Sequence, residues 1–298
     1  MNDFSTSGDR TDRDLVSIGL PIYNGEMYMR EAIDSLLKQT HHNFEIIISD
    51  NGSTDLTRQI CDEYVAKDNR IRYFRQPLNL GPVPNFKFVL EQARGDVFMW
   101  AAHDDLWEPS HLASAIGFLK DRGLSFVFPS FRLSSIQWKF SKTFDNKTFA
   151  FMESTDARLR TLSFMSLHYL SHSANIVYSV FRRSFLKAVW EVQNIGNDGA
   201  MGAVILSMGR GTVNSARFSK RYAGMWPGRL QGLMGITRAT LGGSNPAEQA
   251  KHSIDEGRSK LIQLFPGYAA EINYIYDRYR PFNYLPNYQI CSVEELQA

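Results

Sequence analysis

Cysteine is nearly missing from this chain: Cys61 and Cys291 are the only two among 298 residues. So far apart, they cannot form a disulfide framework, which excludes a stapled secreted scaffold and fits a reducing compartment. Long apolar runs are missing as well. No window approaches the ~18 uninterrupted apolar residues of a spanning helix, and the first fourteen residues, MNDFSTSGDRTDRD, lack the apolar segment of a secretory signal. A cytoplasmic protein is therefore expected. The aromatic stretch EINYIYDRYRPFNYLPNY near the C-terminus leaves peripheral contact with the inner face of a membrane open. An excess of one charge is lacking too: 33 basic residues stand against 31 acidic ones, a net charge of +2, so no nucleic-acid partner is expected. Glycine-rich phosphate loops are absent from the turn after the first apolar run. That turn reads GLPIYNGE, neither GxGxxG nor GxxxxGK[ST], which argues against hydride transfer on a dinucleotide and against ATP hydrolysis.

What is present is an alternation of two periods. LVSIGL (15–20), FEIIIS (44–49), RIRYF (70–74) and VFMWAA (97–102) read as strands rich in Val, Ile, Phe and Tyr. Between them, Met29, Ala32, Ile33, Leu36 and Leu37 recur at helical spacing, as do Leu56, Ile60, Tyr64 and Val65, and then Phe86, Val89, Leu90 and Ala93. Ser53 is expected to cap the second helix and Gly95 to end the third; a fourth begins near Pro109 and stops near Gly123. Strand and helix in strict succession predict right-handed crossovers and a mainly parallel α/β sheet.

After Phe131 the rhythm changes. A polar and aromatic hairpin is expected over 131–152, a helix near 156–170, a strand near 175–181 and a helix through Phe185, Leu186, Val189 and Trp190. Glycine and proline around 224–247 suggest a loop, followed by two helices over roughly 247–264 and 268–279. The expected organisation is a polar tail (1–14), a ligand-binding half (15–130), a second half that completes the site (131–222), and a loop with C-terminal helices (223–298).

Ligands of open parallel sheets gather beyond the carboxyl ends of the strands. The segments there are PIYNGE, DNGSTD, RQPLNLG and HDDLWEP, so the unusual chemistry of the first half converges on one edge. Asp50 offers an acceptor for a nucleobase imide or a ribose hydroxyl, although DNG is also ordinary turn chemistry. Asp104 and Asp105 are adjacent carboxylates, hard oxygen ligands of the kind Mg²⁺ or Mn²⁺ prefers when a diphosphate supplies the remaining positions. Acidity ahead of a helix start is the rival explanation, and it needs only one of them. His103 beside the pair is a further donor. His168 and His172 share helical spacing, but no third metal ligand is near them in sequence.

Taken together, PIYNGE, ISDNGSTD, NLGPVPN and a strand ending in HDD resemble the family 2 glycosyltransferases of GT-A fold over about residues 15–130, and more weakly to about 222. The resemblance implies a GT-A-like nucleotide-sugar domain with a C-terminal helical acceptor or lid region. It implies that Pro21, Tyr23, Asn24, Asp50 and Asn79 line a pocket for base and ribose. Asp105 then carries most of the contact to a divalent metal, Mn²⁺ or Mg²⁺, and Asp104 bridges toward ribose or donor sugar. The family's acidic base motif corresponds to NDG at 197–199, which makes Asp198 the catalytic base. Arg217, Lys220 and Arg221, followed by Trp226, are placed to close over the diphosphate. Two departures stand out: Ala102 occupies the first acidic position of the family's DADD pattern, and Asn51 replaces the second aspartate of DDGSTD.

The implied activity is inverting transfer of a sugar from a nucleoside diphosphate sugar, of UDP or dTDP type, to a saccharide or lipid-linked saccharide. Cell-surface polysaccharide or glycolipid assembly is the expected setting. Two other classes stay open. AAHDD and NDG both carry fewer acids than the family pattern, which keeps a non-catalytic sugar-nucleotide or glycan binding module in view. A sugar-phosphate nucleotidyltransferase ranks last, because PIYNGE does not match the basic glycine-rich loop of that class.

Overall fold

The computed structural model describes residues 15–135, 140–144, 149–168, 173–192, 198–222 and 258–278. One nine-stranded sheet organises them. Its strands are β1 (Val16–Ile22), β2 (Phe44–Asp50), β3 (Ile71–Arg75), β4 (Val97–Trp100), β5 (Leu106–Trp107), β6 (Phe126–Ser135), β7 (Phe140–Phe144), β8 (Val180–Arg182) and β9 (Gly211–Tyr222). They lie in the order β3-β2-β1-β4-β8-β6-β9-β5, with β7 paired to β6. The 3-2-1-4 half is parallel throughout, as the strand and helix alternation predicts. Beyond β4 the sheet turns mixed: β8 runs antiparallel to both β4 and β6, while β6 and β9 are parallel. The expected boundary at residue 130 falls inside β6, so both halves share one sheet.

β1 and β2 are buried along all seven residues each, because helices cover both faces of the sheet. The helices are α1 (Met29–Leu37), α2 (Thr57–Lys67), α3 (Pro82–Glu91), α4 (His111–Arg122), α5 (Ala157–His168), α6 (Arg183–Val192) and α7 (Asp198–Met208). Met29, Ala32, Ile33 and Leu36 of α1 face inward as their spacing predicts. Leu56 and Val65 do not, and both are exposed. α2 starts one turn later than expected, at Thr57, and no side chain caps it; the Ser53 hydroxyl is used between loops instead. Gly95 likewise ends no helix, since α3 stops at Glu91. A Cβ at Gly95 would lie 2.1 Å from the Leu15 carbonyl oxygen, so close backbone approach is what requires glycine there. Gly123 does end α4, in the left-handed conformation at φ 59.

The expected strand at 175–181 is mostly a 3-10 helix, Ser173–Tyr178, with only Val180–Arg182 joining the sheet. Of the hairpin expected over 131–152, β6 and β7 pair as far as Phe144, whereas Ala150–Glu153 is a 3-10 helix. Of the two C-terminal helices, 258–264 and Ala269–Arg278 are helical. The 224–247 loop and His172 lie outside the described residues, as do the side chain of His168 and Trp226. Among the described residues no helix is long and apolar enough to cross a membrane.

The edge at the strand starts is locked by Glu45. Its Oε1 accepts from the Ser17 hydroxyl (2.7 Å) and the Arg94 amide (2.9 Å), and its Oε2 pairs with the Arg72 guanidinium at 2.9 Å. Glu45→Ala is expected to cost about 3 kcal/mol of unfolding free energy, because it strands a cation and two donors in a largely buried place. Urea denaturation checks it, and loss below about 1 kcal/mol contradicts it.

Candidate active site

At the opposite edge, the loops after β1 and β2 are stitched by reciprocal hydrogen bonds. The Asn24 and Gly25 amides donate to the Ser53 and Thr57 hydroxyls at 2.9 and 2.8 Å, and the Thr54 amide donates back to Asn24 Oδ1 at 3.0 Å. Glu26 and Asp55 exchange roles in the same way: the Glu26 amide donates to Asp55 Oδ2, and the Leu56 amide donates to Glu26 Oε2. The two loops therefore behave as one platform. Asn24 sits at φ 51, the only non-glycine residue with positive φ among the described residues. A short polar side chain tolerates that conformation best, and the clasp to Thr54 holds it there. Tyr23, next to it, projects its ring into solvent at 44% exposure, whereas Pro21 is buried within β1.

Asp50 is completely buried beneath this platform. Its Oδ1 accepts from the Ser53 amide (2.8 Å), its Oδ2 from the Tyr73 hydroxyl (2.9 Å), and Arg75 Nε stands 3.9 Å away. Burial and the neighbouring Asp50 carboxylate push the Tyr73 phenol well above its ordinary range, which keeps it a proton donor to Asp50. Each carboxylate oxygen keeps a second acceptor site.

Asn51 organises the third loop. Its Nδ2 donates to Asn79 Oδ1 (2.8 Å) and the Gly81 carbonyl (2.9 Å), and its Oδ1 accepts from the Leu80 amide at 3.0 Å. This explains the departure from a second aspartate, since a carboxylate has no proton to give to Asn79 and Gly81. Asn51 is buried and faces this loop, and Asn79, exposed, spends its Oδ1 on Asn51 and on the Gly81 amide. Sequence reading missed the clasping roles of Asn51, Glu26 and Asp55. The signal available was the density of amides and short acids in YNGE and NGSTD.

The fourth loop separates the adjacent aspartates. Asp105 is 0% exposed, whereas Asp104, His103 and Ala102 are half-buried. The side chain of His103 rests on Gly25, where an added Cβ would come within 3.1 Å of the imidazole ring, so the first and fourth loops touch. Among the described residues no group of three or more His, Cys, Asp or Glu stands together as a metal cage. Two carboxylates at a strand end suit a divalent ion only when a ligand such as a diphosphate completes its oxygen shell. Asp198 opens α7, and Arg217, Lys220 and Arg221 lie on β9; their side chains are outside the described residues.

Just behind this loop His111 is fully buried against Trp107, ring centroids 5.0 Å apart, and neither ring nitrogen makes a well-formed hydrogen bond. Burial pushes its pKa down to about 4, with the Ala216 backbone pulling the other way. The unfolded chain takes up this proton near pH 6.5, so between there and pH 4 it binds a proton that the folded protein refuses. Stability is therefore full above pH 6.5 and falls on acidification, by up to about 3 kcal/mol from this one group. Urea midpoints at pH 7 and 4.5 should differ less in His111→Phe than in wild type; equal differences contradict the reading.

The model of "Glycosyl transferase family 2" matches residues 17–190, more than half of the chain. The chain belongs to this family. An uncharacterized glycosyltransferase of Rickettsia typhi is 42% identical over 105 residues, covering 35% of this chain and 32% of that protein. TuaG of Bacillus subtilis, a glycosyltransferase whose name assigns it provisionally to teichuronic acid biosynthesis, is 34% identical over 119 residues, covering 40% and 47%. The chain thus spans less than half the length of these curated relatives. The crystal structure of residues 1–349 of S. aureus TarS in complex with UDP-GlcNAc superposes with a TM-score of 0.57 at 19% identity, covering 90% of this chain and 74% of that one. The likeness carries the GT-A-type fold. The first four loops of the chain lie together at one strand-end edge of that fold.

Proposed function

We propose that this glycosyltransferase transfers a sugar, with inversion, from a UDP- or dTDP-type donor to a hydroxyl of a saccharide or lipid-linked saccharide in cell-surface polysaccharide assembly. The observation that carries the reading is the clasped platform of Tyr23, Asn24 and Asp50 standing beside Asp104 on one sheet edge. Residues 15–130 hold the donor and 131–222 complete the site. Tyr23 offers its exposed ring to the base, and the buried Asp50 braces the platform beneath it through the Ser53 amide and the Tyr73 hydroxyl. Pro21, Asn24 and Asn79 shape the pocket. UDP-GlcNAc bound to TarS and the name of TuaG support the donor class and the setting.

For the metal we assign the first contact to Asp104, the half-buried carboxylate, and the supporting place to Asp105, reversing the order that the motif suggests. These residues would hold a divalent ion, Mn²⁺ or Mg²⁺, which would supply counter-charge to the departing diphosphate. Asp198 is the base. As the acceptor oxygen bonds to the anomeric carbon, its proton passes to the Asp198 carboxylate, and the bond from that carbon to the diphosphate oxygen breaks with its electron pair leaving on the nucleotide. α7 is joined through Gly209 and Arg210 to the start of β9, at the edge remote from the site, and its first residue stands about 16 Å from that junction along the helix. Arg217 and Arg221 are assigned to the diphosphate.

A thermal-shift screen of nucleoside diphosphates and their sugars, with and without Mn²⁺, tests the reading. Uridine or thymidine diphosphates should raise the unfolding temperature, since ligands of the folded state stabilise it by mass action. Shifts from adenosine or guanosine diphosphates alone would refute the donor class, and binding without transfer across an acceptor panel would favour a binding module.

A further inference from the structure

The third loop, from Gln76 to the start of α3 at Pro82, has no apolar anchor of its own. Pro77 to Leu80 are all exposed, Leu78 at 58% and Leu80 at 47%. Its course is set instead by four consecutive residues at the end of β2. Ser49 ties down what lies on either side of it: the Ser49 hydroxyl accepts from Gln76 Nε2 at 3.2 Å and donates to Asn85 Oδ1, and the Ser49 carbonyl accepts from Asn85 Nδ2 at 2.9 Å. The Asp50 carbonyl accepts from the Gln76 amide at 2.8 Å. Gly52, at φ 73, meets the loop's backbone directly, since a Cβ there would lie 2.9 Å from the Leu78 carbonyl carbon. The middle of the loop is left to the side chain of Asn51.

That side chain is donor and acceptor at once. One Nδ2 proton goes to Asn79 Oδ1 and the other to the Gly81 carbonyl, while Oδ1 takes the Leu80 amide. Asn79 Oδ1 is used twice, because it also accepts from the Gly81 amide at 2.9 Å. An aspartate at position 51, as in the DDGSTD pattern, would aim a charged oxygen at two acceptors now 2.8 and 2.9 Å from Nδ2. Turning the Asn79 amide over to donate to that oxygen would take the acceptor away from the Gly81 amide. The residue that restores the family motif is thus one that unfastens this loop.

Resting on the reading of this edge as the nucleotide site, we propose that Asn51 is a positioning residue for the donor: its amide holds the third loop in the shape the nucleotide meets, so this chain needs asparagine where the family pattern has aspartate. Asn51 is buried and acts through Asn79 and the loop backbone. A loop fixed beforehand spares the complex the cost of ordering it on binding, so the effect falls on affinity rather than on the chemical step.

The experiment compares the full chain with Asn51→Asp by calorimetric titration of UDP or dTDP, whichever stabilises wild type more, by transfer kinetics with the matching nucleotide sugar, and by amide hydrogen exchange over residues 76–85. Asn51→Asp should weaken diphosphate binding and raise the donor KM by about tenfold, with kcat within about twofold of wild type. Exchange at the Leu80 and Gly81 amides should quicken by at least about tenfold, because their bonds are the ones released. Asn79→Ala serves where a buried charge at 51 prevents folding: at an exposed position it removes the acceptor that Asn51 and Gly81 share, and it should show the same split. The double variant should lose less than the product of the two single losses, since both break one latch. Binding by both single variants within about twofold of wild type, a loss carried by kcat alone, or single losses that multiply overturns the proposal and leaves the donor reading standing. Failure of UDP and dTDP to bind wild type overturns both.

Discussion

Asp198→Asn is expected to lower sugar transfer by about a thousandfold while leaving the donor dissociation constant within about twofold of wild type. A positioned general base contributes typically 10²–10⁴ to rate, and the amide that replaces it is nearly isosteric but cannot take the acceptor proton. Because the loss falls on the chemical step, kcat drops and KM for the donor holds. The residue is the first of α7, where a carboxylate also interacts favourably with the helix N-terminus. That second role costs only about 0.3–1 kcal/mol when removed, so a small fall in unfolding temperature accompanies the variant without explaining the kinetic loss. Transfer retained above about one-tenth of wild type moves the base elsewhere.

α7 packs tightly against α5 one turn after its start. Gly202 lies against Phe164 of α5, where an added Cβ would fall 2.1 Å from the ring, so the two helices pack at very close range. Such close packing leaves no room for a larger side chain at Gly202.

The parallel half of the sheet was legible because buried strands and amphipathic helices each impose a period on the sequence, and the four loops follow from strand ends alone. The mixed half was less so. Val180–Arg182 is only three residues long, too short to show alternation, and the apolar NIVY before it serves equally well as a 3-10 turn packed on the core. Capping assignments failed where polar side chains served long-range partners. Ser53 reads as a helix cap by proximity, yet its hydroxyl accepts from the Asn24 amide 29 positions away. The burial of Asp105 beside accessible Asp104 was equally invisible, since adjacent residues of one type differ only in the face on which the backbone presents them. Charge alone does not reveal which of the two is buried.

That asymmetry makes the aspartate pair separable by experiment. Asp104→Asn should leave the unfolding temperature nearly unchanged and lower kcat/KM by about a hundredfold, because charge building on the leaving diphosphate loses its organised counter-charge where such interactions are worth most. The loss should be concentrated in the Mn²⁺-stimulated part of the activity, so that wild type responds to the metal and the variant barely does. Asp105→Ala should behave in the opposite manner. Removing a fully buried side chain beside Leu106 and Trp107 leaves a void under the loop, at a cost of about 2 kcal/mol in stability. Enzyme assayed well below its lowered unfolding temperature should still respond to Mn²⁺. If Asp105→Ala abolishes the metal response at unchanged stability, the motif-based order of the pair is right and the burial-based order is wrong. The two variants thus test whether the acidic loop is read by its sequence pattern or by the burial of its two carboxylates.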